Sequence, residues 1–532
     1  MRDYIPINQS QFEKYFYHYN FYLLLIFILS FLIISLYSLF GFQDFYDDSY
    51  HHFYISLGTL ENSFIYTDFK SNHYLWLPGF HYFGSFLLFI TRINTIEILE
   101  LANVILGSII VLLVSDIVFK ITKNYFFSFS SALLIMLFPW FVIFSNFNMP
   151  ENLAIIAILI MIWGWINEKF YLIYFGWIIG IITRYEIWIY GFSFFFGIAL
   201  FHKKVKNKLL IFYSLLIFLQ WIIIWSLWNF FGTENYLQWI ANQSKALNWE
   251  SYFAGNLPHL FLILDLYFSW IGYLIPLAGC LIFYLIYFLI KNDIQFEKFS
   301  DNENWSKSFI FINIMTTITI IRISSAVVFS LIPIYYPRFV LIDLSIIVLL
   351  LPCWLNIFKM VNFYFKTKKL KEFNISNRLK SISKLLLILF IIFSFFSQSS
   401  VISSQDYILT PSKSAGSFLE SYMIHEGYLN EKVLIDSPTI AYYAGLSITQ
   451  MIPSSAFRVE NPLEELLNSK IKFIVAQNSS FSEVYFQFPF LLNHPLNFNT
   501  ENGIIFQKIF EYDGWELNYG VKPIIIYFLS YL

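Results

Sequence analysis

Apolar runs long enough to cross a lipid bilayer recur along the first 400 residues, and this recurrence limits the fold more than any other feature. A crossing helix needs about 20 mostly apolar residues, because its backbone must satisfy its own hydrogen bonds inside hydrocarbon. Eleven runs are read, at roughly 21–42, 97–119, 125–144, 152–167, 170–183, 186–201, 208–231, 259–290, 308–333, 339–360 and 384–399. Those at 152–167, 170–183 and 186–201 are short, and 259–290 is long and carries Gly272 and Pro276, so a count of about ten to thirteen fits equally well. Composition agrees: 58% of the 532 residues are hydrophobic and 13% charged, against roughly a quarter charged in soluble domains. A single soluble enzyme and a disordered chain are both excluded. A net charge of −2 provides no basic field for nucleic acid. Cys280 and Cys353 both lie in apolar runs, so neither a disulfide framework nor a cysteine metal site is expected.

The basic residues orient the spans, because cytoplasmic loops are enriched in Lys and Arg. With the N-terminus inside, the inner segments hold 20 of the 33 Lys and Arg, and the outer loops before the tail hold 5: Lys70, Arg92, Arg184, Lys245 and Arg338. The expectation is a protein of the plasma membrane with a cytoplasmic N-terminus. The first run is longer than the apolar core of a signal peptide and no small-residue cleavage pattern follows it, so it reads as a retained span.

Three exoplasmic pieces follow from this orientation. The first loop, 43–96, contains the apolar but short WLPGFHYFGSFLLFIT (76–91), whose length suits a helix lying in the interface. The second is 232–258. The third is the tail, 401–532, where Gly, Pro, Asp and Glu return to ordinary levels. There, VLIDS (433–437), KIKFIVAQ (470–477) and PIIIYFLSYL (523–532) read as strands and ENPLEELLNS (460–469) as a helix. The fold class is thus an α-helical polytopic membrane domain of about 11 spans, residues 1–400, with a small exoplasmic α/β domain, 401–532. Neither G-x-x-x-x-G-K-[ST] nor G-x-G-x-x-G occurs, so no nucleotide loop is present.

The densest group of ionisable side chains before the tail is FQDFYDDSYHHFYIS, 42–56. If 46–56 is helical, Asp47 and Asp48 each precede a histidine by four residues, His51 and His52. Two readings are open: a solvated loop or helix cap, and a general base or metal ligand held at the membrane surface. Glu151 in SNFNMPEN (145–152) is likewise either a first-turn acid meeting the helix dipole or a site residue. Outer positive charge is scarce. Arg338, after IYYP with Tyr336, and Arg184, in TRYEIW, each suit a phosphate at headgroup depth or plain snorkelling at a helix end, and Arg184 has Glu186 or another outer carboxylate to pair with. Trp76, His81 and His73 complete the set of residues able to line one cavity.

In order and sidedness, these features resemble the GT-C glycosyltransferases, integral-membrane enzymes that include the protein O-mannosyltransferases and the aminoarabinose transferases of lipid A. The resemblance rests on the acidic pair in YDDSYHHFYIS after an N-in first span, LWLPGFHYF, Glu151 in a second outer loop, TRYEIW, YYPRFVL, and a soluble outer tail. It covers roughly residues 20–360. The pair here is Asp-Asp rather than Asp-Glu. The Trp-Trp-Asp-Tyr-Gly motif of oligosaccharyltransferase tails is missing from the sequence, which argues against transfer of a whole oligosaccharide to asparagine. The resemblance implies a polyprenyl- or dolichyl-phosphate-linked sugar as donor and a protein, lipid or glycan hydroxyl as acceptor. It implies Asp47 as base, Asp48 orienting Asp47, the acceptor or a divalent cation (Mg or Mn), and Arg338 with Arg184 on the donor phosphate. The competing classes are a secondary transporter, whose pointers would be the buried Asp116, Asp265, Arg322 and Asp343, and an inactive GT-C-like scaffold or accessory subunit.

Overall fold

The computed structural model describes residues 9–39, 46–66, 76–201, 205–233, 235–240, 314, 318, 341–342, 345–346, 348–349, 410–454, 461–477, 484–493, 496–500, 503–512 and 524–531. Among them, the N-terminal part is helical: α1 (Gln9–Leu39), α2 (Asp47–Glu61), α3 (Gly79–Thr91), α4 (Ile96–Thr122), α5 (Tyr125–Met136), α6 (Pro139–Ser145), α7 (Glu151–Ile166), α8 (Phe170–Thr183), α9 (Glu186–Phe201) and α10 (Val205–Thr233). Among the described residues, three stretches are long and apolar enough to cross a membrane, His18–Leu36, Ile96–Thr122 and Lys208–Phe231, and α3, α5, α7, α8 and α9 are shorter apolar helices. Apart from scattered helical positions between 314 and 349, the runs expected at 259–290, 308–333, 339–360 and 384–399 lie outside the described residues.

Helix α1 shows what solvent this bundle is built for. Ile26, Ser30 and Ile34 are buried against the other helices, while Leu24, Leu25, Ile28, Leu32 and Leu36 face outward. A helix in water would turn its leucines inward; this one carries apolar side chains on both sides, as lipid requires. The run read as one span at 125–144 is instead two helices. Proline at 139 has no N–H to give and disfavours helix in the residue before it. Phe138 accordingly takes an extended conformation (ψ 112°) and α6 restarts at Pro139.

The membrane core joins α1 and α4 through α9, with Ile110, Val114, Trp140, Phe144, Ile155 and Trp177 fully or almost fully buried. Within it Asp116 on α4 accepts from Tyr19 Oη and Trp163 Nε1 and pairs with Lys120 at 3.1 Å. Lys120 Nζ also donates to Asn167 Oδ1 at 2.9 Å. A buried acid with these partners is explained by helix packing, so one pointer to transport is accounted for structurally; Asp265, Arg322 and Asp343 lie outside the described residues.

The C-terminal part is α/β: α11 (Thr410–Glu426), β1 (Val433–Leu434), α12 (Pro438–Tyr443), β2 (Met451–Ile452), α13 (Pro462–Ser469), β3 (Phe473–Gln477), α14 (Val484–Gln487), a 3₁₀ turn (Pro489–Asn493), β4 (Asn497–Asn499), β5 (Ile504–Tyr512) and β6 (Ile524–Tyr531). The sheet runs β2-β1-β3-β6-β5-β4, parallel across β2, β1 and β3 and antiparallel thereafter. The strands expected within 433–437, 470–477 and 523–532, and the helix within 460–469, are all present. Unbroken apolar runs such as FIVA suit β3 because both faces of the sheet are covered. α13 and α14 pack on one face. On the other, Leu419 and Met423 of α11 and Ile440 and Ala441 of α12 meet Val433, Phe473 and Ile526. That cluster continues without a break into Tyr50, Phe53, Tyr54 and Leu57 of α2, Leu88 of α3 and Leu99 of α4. One hydrophobic cluster, distinct from the membrane core, therefore spans the seam between the tail and helices α2, α3 and α4.

Candidate active site

Helix α2 starts at Asp47 and Asp48, placing both acids in the first turn, where unpaired N–H groups and the helix dipole favour negative charge. Tyr46 before them is extended and provides no side-chain cap. The carboxylate of Asp47 also meets a second helix start. Its Oδ1 accepts from the Thr439 backbone N–H at 3.2 Å and from the Thr439 hydroxyl at 2.5 Å. Thr439 lies in the first turn of α12, whose N-cap Ser437 accepts from the Ile440 N–H at 3.3 Å. Tyr443 Oη lies 3.2 Å from Tyr50 Oη, and Tyr54 Oη donates to the Leu446 carbonyl at 3.3 Å, so α12 is fastened to α2 along its length.

The hairpin before α7 meets α2 at the next residue. Asn148 N–H donates to Ser49 Oγ at 2.9 Å, and its side-chain amide to the Ser49 carbonyl at 3.0 Å. From α4, the Asn103 amide donates to the carbonyls of Phe147 and Met149, and the Asn152 amide returns a bond to the Asn103 carbonyl. Buried amides in an apolar bundle are stable only when their donors are used, and here they fix the loop that delivers Glu151. Glu151 opens α7 and is 1% exposed. Arg184 Nη1 donates to its Oε1 at 2.5 Å, while Nε and Nη2 grip both oxygens of Glu186 at 3.1 and 2.7 Å. The guanidinium thus serves two carboxylates, the pairing reading raised for it from sequence, and a phosphate would have to compete with both.

Behind the acids, α2 and α3 cross at Ser56 and Gly84, where a β-carbon on the glycine would lie 2.4 Å from Ser56 Oγ. The crossing aligns His52 Nδ1 with His81 Nε2 at 2.8 Å, both rings buried. Trp76 lies against them, its ring centre 4.6 Å from that of His51 and 4.8 Å from that of His52. The structure thus sets His51 and His52 of α2, the helix that Asp47 and Asp48 open, against His81 of α3 and Trp76 just before it, with Glu151 and Arg184 reached through Asn148. Tyr336, Arg338 and His73 lie outside the described residues. Among the described residues, no group of three or more His, Cys, Asp or Glu side chains is arranged to hold a metal ion. Thr439, Ser49, Asn103 and Asn148 were not foreseen. DSPT (436–439) does carry the Ser-Pro signature of a helix start, but nothing local says what that start faces.

No protein-family model and no curated protein matches the chain. Among solved structures, ArnT from Cupriavidus metallidurans bound to undecaprenyl phosphate aligns with a TM-score of 0.56 over 94% of this chain and 97% of that one, at 10% identity. The oligosaccharyltransferase AglB from Archaeoglobus fulgidus, in complex with an inhibitory peptide and a dolichol-phosphate, aligns over 86% of this chain and 69% of that one, with a TM-score of 0.49 and 12% identity. The chain shares its fold with the GT-C integral-membrane transferases, as the sequence resemblance implied.

Proposed function

We propose that this chain is a glycosyltransferase of the membrane that moves a sugar from a polyprenyl- or dolichyl-phosphate donor to a hydroxyl on the exoplasmic side, with inversion. The observation that carries the reading is a fold alignment of nearly full length with a protein bound to undecaprenyl phosphate. An acid pair at the start of α2, beside the tail domain, adds to it.

In this reaction Asp47 takes the proton from the acceptor hydroxyl as the acceptor oxygen bonds to the anomeric carbon. The bond from that carbon to the phosphate oxygen breaks, and its electron pair leaves with the lipid phosphate. Asp48 orients Asp47 or the acceptor. Arg338 takes up the charge developing on the phosphate, as fixed cations do best where charge appears in the transition state. Arg184, held between two carboxylates, contributes less directly. In this orientation the N-terminus is cytoplasmic and the tail domain exoplasmic.

The test is transfer of label from a radiolabelled polyprenyl-phosphate hexose by purified protein in proteoliposomes, with membrane extract as acceptor. Asp47→Asn should lower the rate on the order of 10²–10⁴-fold while leaving donor binding intact. Near-normal transfer by a folded Asp47→Asn protein would remove Asp47 from the base role. A wild type that neither transfers nor binds any such donor would remove the enzyme reading.

A further inference from the structure

We propose that Thr439 is the positioning residue for the Asp47 carboxylate, which makes the C-terminal domain part of the catalytic arrangement rather than a cover over it; this rests on Asp47 being the base. Thr439 places two donors on one oxygen, the backbone N–H at 3.2 Å and the hydroxyl at 2.5 Å from Oδ1. A carboxylate on a short side chain still turns about two torsions, and an oxygen gripped by both a peptide N–H and a hydroxyl stops that turning. The peptide donor is itself fixed, because it belongs to the first turn of a helix capped by Ser437. Thr439 is fully buried. A buried hydroxyl is costly unless it is hydrogen-bonded, and that of Thr439 is satisfied by its bond to Asp47. Fixing a base within reach of its proton is worth a large rate factor, since misplacement by about 1 Å costs on the order of 10²-fold.

The experiment compares wild type, Thr439→Val, Thr439→Ser and Tyr54→Phe, all full-length in proteoliposomes, using a labelled polyprenyl-phosphate hexose. Tyr54→Phe removes a different hydrogen bond of the same docking surface. Thr439→Val should lower kcat by about 10–10²-fold with donor KM little changed, Thr439→Ser should restore most of the loss, and Tyr54→Phe should leave kcat near wild type. An unchanged kcat in Thr439→Val overturns the proposal, and so does an equal loss in Tyr54→Phe, which would make docking the cause. A faster Thr439→Val enzyme with a lower acceptor KM also overturns it, because the hydroxyl would then be occupying the acceptor's place. A second readout needs no donor. The unfolding midpoints of Thr439→Val, Asp47→Ala and the double variant should be non-additive, and additive effects would show that the contact is not there. Coupled midpoints in a wild type that neither transfers nor binds the donor would fail the glycosyltransferase reading and leave Thr439 a docking residue.

Discussion

Arg184 contributes one guanidinium to two carboxylates, and the consequences of losing it are unequal. Glu186 opens α9 and shares the first-turn dipole with which an acid is comfortable. Glu151 is 1% exposed, and its Oε2 has no hydrogen-bond partner among the described residues. Removing Arg184 therefore leaves a buried charge uncompensated, which costs about 3–5 kcal/mol. Arg184→Ala should lower the thermal midpoint in detergent markedly, and Glu151→Gln in the same background should recover part of the loss. A midpoint unchanged in Arg184→Ala would mean the pair is not formed. The residues of this network stood out in the sequence because charge is rare in an apolar chain. What could not be read was their pairing: TRYEIW offers Arg184 a neighbour at Glu186, but its bond to Glu151 depends on α7 and α8 folding back on each other. The same holds for Asp47 and Thr439, 392 residues apart and joined only by the docking of two helix starts.

Packing between helices is set by what is missing from their surfaces. In α8 the run GWIIG puts Gly176 and Gly180 on the side that meets α7 and α9, the small-residue spacing that lets membrane helices approach closely. A methyl group at 176 would lie 2.5 Å from the Ala157 carbonyl oxygen, a backbone atom that cannot move aside. One at 180 would meet the end of the Ile187 side chain, 2.4 Å from its Cγ2, which can turn away. Gly176→Ala should thus destabilise by about 1–3 kcal/mol and Gly180→Ala by less, measured as thermal midpoints in detergent; the reverse order would contradict this geometry. Helices α3, α8 and α10 were legible nearly to the residue, since their apolar runs end in polar or turn residues. The break inside 125–144 was not taken from the sequence, although Pro139 marks it, because hydropathy alone continues across a proline.

The C-terminal domain holds a cluster of tyrosines whose ionisation is suppressed. Burial, with the Glu511 charge adding, pushes Tyr485 up to about 12 from its ordinary 10.0. Tyr527 and Tyr531 are raised as well, burial again being the main cause. Between pH 10 and 12 an unfolded chain gives up protons that the folded domain retains, so stability falls as pH rises through that window and is unaffected by these groups below it. Alkaline titration of the full protein, followed by tyrosinate absorbance, should show delayed ionisation and then a cooperative transition; tyrosines titrating with an ordinary midpoint would contradict the burial. The α/β character of this region was plain from its composition and its strand runs. Its attachment was not, because the Tyr50, Phe53 and Tyr54 face of α2 looks in sequence like any amphipathic surface at a membrane interface.

The sheet order has a consequence for biosynthesis. β6 follows every other described strand in sequence yet lies between β3 and β5. A ribosome releases Asp47 early, but the sheet that carries Thr439 cannot close until β6 has been made and inserted. Asp47 is then in the membrane before its Thr439 contact can form, so a chain stalled or clipped ahead of β6 should carry both residues without the completed sheet against which Thr439 is seated.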